Sequence, residues 1–252
     1  ISRKGPAPEA KGPPAAEESR AALQKPAPPP EPPKPPPKRE SPKKPEPAKP
    51  LTSEEDEALN NVVVQAMGTG DWDRVIAVGN EAVLRGSKKD WAPYYLATAY
   101  AERDELDKAL EYATRALQAR PESRESLELR AQILAFRGEA RKALADLEGL
   151  YGKKAGDLNK QITALKDAKD ARSLLQRGVF YTLKRHHDSA EKDFEAALGQ
   201  GLKPALVWRA HARRAQENRA GAIEDLKAYR AALPTGYATD EVAAMLKDLG
   251  AN

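Results

Sequence analysis

The chain has 252 residues, a formal net charge of +4, 40% hydrophobic residues and no cysteine, which rules out a disulfide framework and a thiolate metal site. No run approaches the ~20 apolar residues that a membrane helix needs. The positive charge is uneven: residues 1–50 hold eleven Lys/Arg against six Glu, leaving 31 basic and 32 acidic residues in the rest, which is too balanced for a nucleic-acid surface.

The first fifty residues carry 17 of the 21 prolines, from Pro6 to Pro50, and almost no aromatic or β-branched residues. Such a segment cannot bury enough apolar surface to offset its ordering entropy, so it is expected to be disordered and extended. At ~3.1 Å per residue in polyproline II, it could reach on the order of 100 Å. The stretch PAPPPEPPKPPPKRESPKKPEPAKP from Pro26 to Pro50 resembles the Pro/Lys/Glu spacers by which bacterial envelope proteins hold a domain away from a membrane. Its lysines would allow weak contact with an anionic membrane or cell wall. Pro33-x-x-Pro36-x-Lys38 fits a proline-motif docking site, but such matches arise by chance in so dense a tract. The chain opens on Ile1, and a signal peptide, a lipid-bearing cysteine or a spanning helix is expected to precede it.

Leu51 ends the linker, and Thr52-Ser53-Glu54-Glu55 reads as a capping box that starts a folded region over 51–252. From there a column of small residues recurs: Val75, Ala109, Ala143, Ala190 and Ala222, the first two steps being 34 residues each. A second small column runs through Ala97, Ala131, Gly178 and Ala210. Each unit shows apolar residues at helical spacing in two segments, as in Leu96, Ala97 and Tyr100, then Ala190, Phe194 and Ala197 in a later unit. Units are expected near 56–89, 90–123, 124–157, 171–202 and 203–236, with Asp90 capping the second. Pro121 and Pro234 fall between units, where no helical hydrogen bond is lost. Between the third and fourth units the step is 47, thirteen more than the repeat. The extra residues, about 156–170, place Leu158, Ile162 and Leu165 on one helical face, so they are expected to form an additional helix or to extend one. A last amphipathic segment at 239–249 (Val242, Leu246, Leu249) reads as a capping helix.

The last three units carry an arginine sixteen residues before an aspartate: Arg130 with Asp146, Arg177 with Asp193, Arg209 with Asp225. The second unit has Leu96 and Tyr112 there, and the first has Val62 and Val78. Both positions change together across the repeats, so each pair is expected to touch and to fix the angle within its hairpin.

Two helices in 34 residues, small residues at the eighth and twentieth positions and proline near the thirty-second resemble the tetratricopeptide repeat (TPR) family. The resemblance covers about residues 54–236 and is weakest in the first unit, where Val63, Val75 and Gly79 depart from the pattern. It implies an all-α solenoid of about five hairpins. It also implies that the arginine–aspartate pairs lie inside, and that first-helix residues line a concave groove for a protein or peptide segment. In this register the groove positions are Glu57, Asn60, Val64; Trp91, Tyr94, Tyr95, Thr98; Glu125, Glu128, Gln132, Phe136; Arg172, Leu175, Val179; and Val207, His211, Arg214. Trp91 and Tyr94 are expected to be exposed there as anchors, while Trp208 fits either the groove or the packing between hairpins. Chaperone-binding members grip a C-terminal carboxylate with lysine, asparagine and arginine at defined positions. Asn60 matches one of these, but Val64, Tyr95, Glu125 and Leu129 occupy the others, so a carboxylate clamp is missing.

Nothing points to catalysis or to a cofactor. His186 and His187 fall in a turn expected to face solvent, and no zinc, phosphate-loop or hydrolase motif accompanies them or His211. The expectation is a non-enzymatic interaction scaffold, tethered to a membrane and placed on the periplasmic side of a bacterial envelope. There it would assemble or stabilise a larger complex. The alternative is a cytoplasmic, C-terminal regulatory region of a larger signalling protein such as a membrane kinase, for which Ser2-Arg3-Lys4 after an apolar residue would suit the end of a spanning helix.

Overall fold

A computed structural model describes residues 49–87, 89, 91–152 and 155–251. The proline-rich segment up to residue 48, its docking motif and the Asp90 cap lie outside the described residues. Twelve helices and no strand occur among those described. Five hairpins are formed by α1 (Ser53–Thr69) with α2 (Trp72–Leu84), α3 (Trp91–Glu102) with α4 (Leu106–Ala119), α5 (Arg124–Arg137) with α6 (Ala140–Tyr151), α8 (Ala171–Leu183) with α9 (His187–Gly199), and α10 (Ala205–Ala215) with α11 (Arg219–Ala232). Between the third and fourth lies the separate helix α7 (Ala155–Ala164), and α12 (Thr239–Asp248) follows the fifth. The architecture is the α-solenoid of TPR-like hairpins that the repeat implied.

Local chemistry sets the helix ends. The capping box forms: the Glu55 amide donates to Thr52 Oγ1 at 3.2 Å, and the Thr52 amide donates to Glu55 Oε2 at 2.9 Å. Asp71, Ser123, Asp170 and Asn218 cap α2, α5, α8 and α11 in the same way, each accepting from a backbone amide of the first turn. Within every hairpin the reversal turns on one residue with positive φ: Gly70, Asp104, Gly138, Arg185 and Glu217, at 60° to 77°. These five stand 34, 34, 47 and 32 residues apart, the same steps as the alanine column.

The small columns let paired helices approach closely. Val75, Ala109, Ala143, Ala190 and Ala222 are all fully buried. Gly178 is a tighter case, because a Cβ built on it would stand 2.4 Å from Phe194 Cε1. Each arginine–aspartate pair closes as a two-pronged fork inside its own hairpin. Nε and Nη2 reach the two carboxylate oxygens at 2.8 and 2.6 Å in Arg130–Asp146, 2.7 and 2.6 Å in Arg177–Asp193, and 3.0 and 2.6 Å in Arg209–Asp225. This hydrogen bonding holds the three guanidinium pKa values above their usual range. Where the second hairpin lacks the pair, Tyr112 stacks on Tyr100 and donates to Asn80 Oδ1 at 3.0 Å.

Helix α7 changes the topology. Each hairpin adds two helices, so the first helices of successive hairpins run the same way. One helix inserted alone reverses that direction. Gln132 and Phe136 of α5 face Gln176 and Arg172 of α8 respectively, so residue numbers rise on one helix as they fall on the other. The fourth and fifth hairpins therefore run antiparallel to the third and fold back on it. The Trp208 indole donates to the Ala135 carbonyl at 3.1 Å, while Pro204 and Val207 close over Gly138. Glu241 of α12 accepts from the Arg141 amide at 3.0 Å and so caps α6, whose own cap residue, Glu139, makes no capping bond. Asp248 of α12 pairs with the Arg141 side chain, and Tyr237 lies over the Arg137 guanidinium at 3.9 Å.

This reversal corrects the expected groove. Val207 and His211 are not on an open wall. Val207 is fully buried against the α5–α6 turn, and His211 is buried with Nε2 3.0 Å from Glu241 Oε1. Leu175 and Trp208 are likewise fully buried. Arg214, near the end of α10, is exposed. For Trp208 the structure selects packing between hairpins, with the indole N–H satisfied by a backbone acceptor.

Candidate functional site

The surviving concavity lies where α3, α5, α7 and α8 meet. A pocket of about 250 Å³ is lined by Tyr94, Thr98, Glu125, Glu128, Leu129, Gln132, Phe136, Leu147, Gln161, Gln176, Val179 and Phe180, with Ala131 and Ala135 at its floor. A second pocket of about 210 Å³ adjoins it and shares Tyr94 and Glu125, its other walls being Trp91, Tyr95, Arg120, Ser123 and Ser126. Seven of the expected groove residues (Tyr94, Thr98, Glu125, Glu128, Gln132, Phe136 and Val179) line the larger pocket, and Trp91 and Tyr95 line the smaller.

Helix spacing explains the arrangement. Glu125, Glu128, Leu129, Gln132 and Phe136 stand at i, i+3, i+4, i+7 and i+11 along α5, so they share one face. Tyr94 and Thr98 are one turn apart on α3, and the Thr98 hydroxyl donates to the Tyr94 carbonyl at 3.1 Å. The reversed α8 supplies Gln176, Val179 and Phe180 as the opposite wall, and α7 contributes Gln161.

The aromatic end is less open than the sequence suggested. Trp91 is half-buried and its Nε1 donates to Asp56 Oδ1 at 3.0 Å, an atom that also accepts from the Ser87 hydroxyl at 2.8 Å. Asp56 is itself buried, so Trp91 first of all joins the first two hairpins. The exposure expected of it is corrected to a structural role with one face on the small pocket. Tyr94 and Tyr95 meet edge to face at 5.3 Å, and burial raises the Tyr94 pKa. On α1, Val64 is exposed and the Asn60 Oδ1 is buried without a hydrogen-bond partner.

Charge in the pocket is one-sided. Glu128 accepts from Arg124 Nε at 3.1 Å and from the Tyr151 hydroxyl at 2.6 Å. Burial, then donation to Glu128, pushes the Tyr151 phenol up to about 12. The Glu125 carboxyl is held below its usual range, first by its own backbone amide and, against burial, by the Ser123 hydroxyl. Arg124 and Arg172, beside the pocket, each have further partners. Arg124 also pairs with Asp157 at 3.0 Å, and Arg172 donates to the Ala101 carbonyl at 3.2 Å and to Asp104 at 2.9 Å while lying over the Phe136 ring. Arg172 is thus a strut tying the fourth hairpin to the second.

Sequence reasoning missed Gln161, Gln176, Leu147 and Phe180, and it met Leu129 only as a mismatch to the clamp. The signal that could have found them is the single extra helix, which implies a reversed α8. Among the described residues, no group of three or more His, Cys, Asp or Glu is placed to hold a metal. His186 stands at the start of α9 beside Tyr181, and the buried His187 Nδ1 has no hydrogen-bond partner.

No family model matches the chain, and a search of curated protein sequences finds no match. Solved structures do resemble it. A tetratricopeptide repeat protein from Parabacteroides merdae shares 20% identity over 77% of this chain and 73% of its own, with a TM-score of 0.40. A thermophilic TPR protein of Thermus thermophilus shares 19% over 76% of this chain and 98% of its own, with a TM-score of 0.41. The TPR2AB domain of yeast Sti1, solved in complex with an Hsp90 peptide, shares 20% over 79% of this chain and 86% of its own, with a TM-score of 0.35.

Proposed function

We propose that this chain is a non-enzymatic interaction scaffold whose α3–α5–α8 groove receives an extended segment of a partner protein. The observation that carries the reading is the pair of adjoining pockets on rigid helices, with apolar walls from Phe136, Val179 and Phe180 and amide groups from Gln132, Gln161 and Gln176. Apolar walls with a few placed polar groups are what a side-chain pocket needs, and side-chain amides can meet the backbone of an extended peptide. The test is a peptide array probed with the full chain, repeated with Tyr94→Ala and Gln132→Ala combined. Both side chains are part-buried, so melting curves first confirm that the variant folds, while bound signals should fall by about tenfold, a loss typical of groove anchors. An unchanged binding pattern would remove the groove from the account.

The proline-rich composition of residues 1–50 supports placing the domain on a spacer in a bacterial envelope, helping to assemble or stabilise a larger complex there. Fractionation of the source cells checks this, and recovery in the cytosol alone would overturn it.

A further inference from the structure

We infer that the groove selects a partner segment bearing a lysine or arginine beside an apolar side chain. This rests on the peptide-groove reading and adds the sign of the charge that is recognised. The larger pocket is lined by two carboxylates, Glu125 and Glu128, and by no cationic side chain. Glu128 is already met by Arg124 and Tyr151, so it contributes a fixed negative end rather than an open site. Glu125 is the more exposed of the two, although its carboxylate accepts from the Ser123 hydroxyl at 3.2 Å. Its side chain is 63% exposed and lies on both pockets. Arg120 stands 3.8 Å from it with both side chains more than half exposed, a contact worth little in water.

Beside Glu125 stand the rings of Tyr94 and Tyr95. A carboxylate next to aromatic faces suits an ammonium or guanidinium group, which gains both a charge-assisted hydrogen bond and a cation–π contact. An acidic side chain or a terminal carboxylate would instead face two like charges, of which Arg124 offsets Glu128 while Arg120 offsets the exposed Glu125 only weakly. From Glu125, α5 leads along one face to Phe136, where Val179 and Phe180 form an apolar wall. A peptide that places its cation at the Glu125 end can therefore seat an apolar side chain further along the same groove.

The experiment uses the full chain and three fluorescein-labelled nonapeptides of Gly/Ser background, carrying Leu with Lys, Leu with Gln or Leu with Glu, read by anisotropy. The Lys peptide should bind about tenfold tighter than the Glu peptide at low salt, the gap narrowing as salt screens the exposed carboxylate. Glu125→Gln should reduce the preference to less than about threefold, and Glu125→Lys should reverse it, with melting curves confirming that both variants fold. If the peptides bind without preference, or the Glu peptide binds best, this inference falls while the groove stands. If none binds, the groove reading falls and takes this one with it. A synthetic peptide of residues 26–50 that outcompetes the Lys probe would assign the groove to the chain's own basic segment and overturn the commitment to a partner. Self-association abolished by Glu125→Lys would assign it to a second copy, with the same consequence.

Discussion

Replacing Asp146 by alanine removes the partner that the Arg130 guanidinium has among the described residues and leaves it inside the third hairpin. Breaking a buried pair on one side costs about 3–5 kcal/mol, and because Arg130 keeps 27% of its side-chain surface the lower end, about 3 kcal/mol, applies. For a folded region of this size each kcal/mol moves the midpoint by about 2–4 °C, so the melting temperature should fall by about 6–12 °C. Replacing both partners, Arg130→Met with Asp146→Leu, should recover most of the loss, since Leu110 and Leu134 line the same spot and accept apolar neighbours. The other two pairs should not behave alike. Arg177 also donates to the Leu165 and Lys166 carbonyls at 2.9 and 2.8 Å, so its double replacement loses both bonds, leaving the Leu165 carbonyl to the Ala168 amide, and recovers less. Asp225 also meets Arg213 at 3.1 Å and is only 2% exposed, so Asp225→Ala should cost the most of the three single changes. Thermal and urea denaturation followed by circular dichroism, arranged as a double-mutant cycle for each pair, measures all of this. A loss below about 1 kcal/mol for Asp146→Ala, or a double variant as damaged as the single, would refute the claim that these pairs hold the hairpins.

Two further outcomes follow from the turns and from the buried phenol. Glu217 holds φ at 61°, where a side chain is strained and glycine is not, so Glu217→Gly should raise stability by up to about 1 kcal/mol in the same denaturation assay. Tyr151 has its pKa raised to about 12, so the stability it contributes is fully present below the ordinary phenol value near 10 and is lost as pH rises through about 12. Absorbance titration near 295 nm should show a late-ionising phenol that vanishes in Tyr151→Phe, and an unchanged titration curve would contradict the Tyr151–Glu128 bond.

Much of the fold was legible because the repeats act as each other's comparison set. The alanine columns mark where helices touch, and the joint loss of Arg130-type and Asp146-type residues in the second unit marks a contact, since a buried guanidinium without its carboxylate is costly. The helix at 155–164 was legible from Leu158 and Ile162, but its consequence was not, because apolar spacing locates a helix without giving its direction. That gap accounts for Val207 and His211, whose side chains suit an open groove as well as an interface until the direction of α10 is known. The positive-φ turns at Asp104, Arg185 and Glu217 were hidden for a related reason. Glycine marks the equivalent place only at Gly70 and Gly138, and tertiary packing holds the other three in a conformation their residue types do not advertise. Trp91 was misjudged because Asp56, its hydrogen-bond partner, sits a whole repeat away in sequence.

A chain of identical modules can ordinarily be lengthened or shortened one module at a time, since each touches only the next. Here the bond from Trp208 to Ala135 and the borrowed cap from Glu241 to Arg141 lock non-adjacent modules together. Duplicating or deleting the fourth hairpin would pull these partners out of register. The molecule is assembled from repeats, yet from the third hairpin to α12 its repeat number is fixed by these contacts.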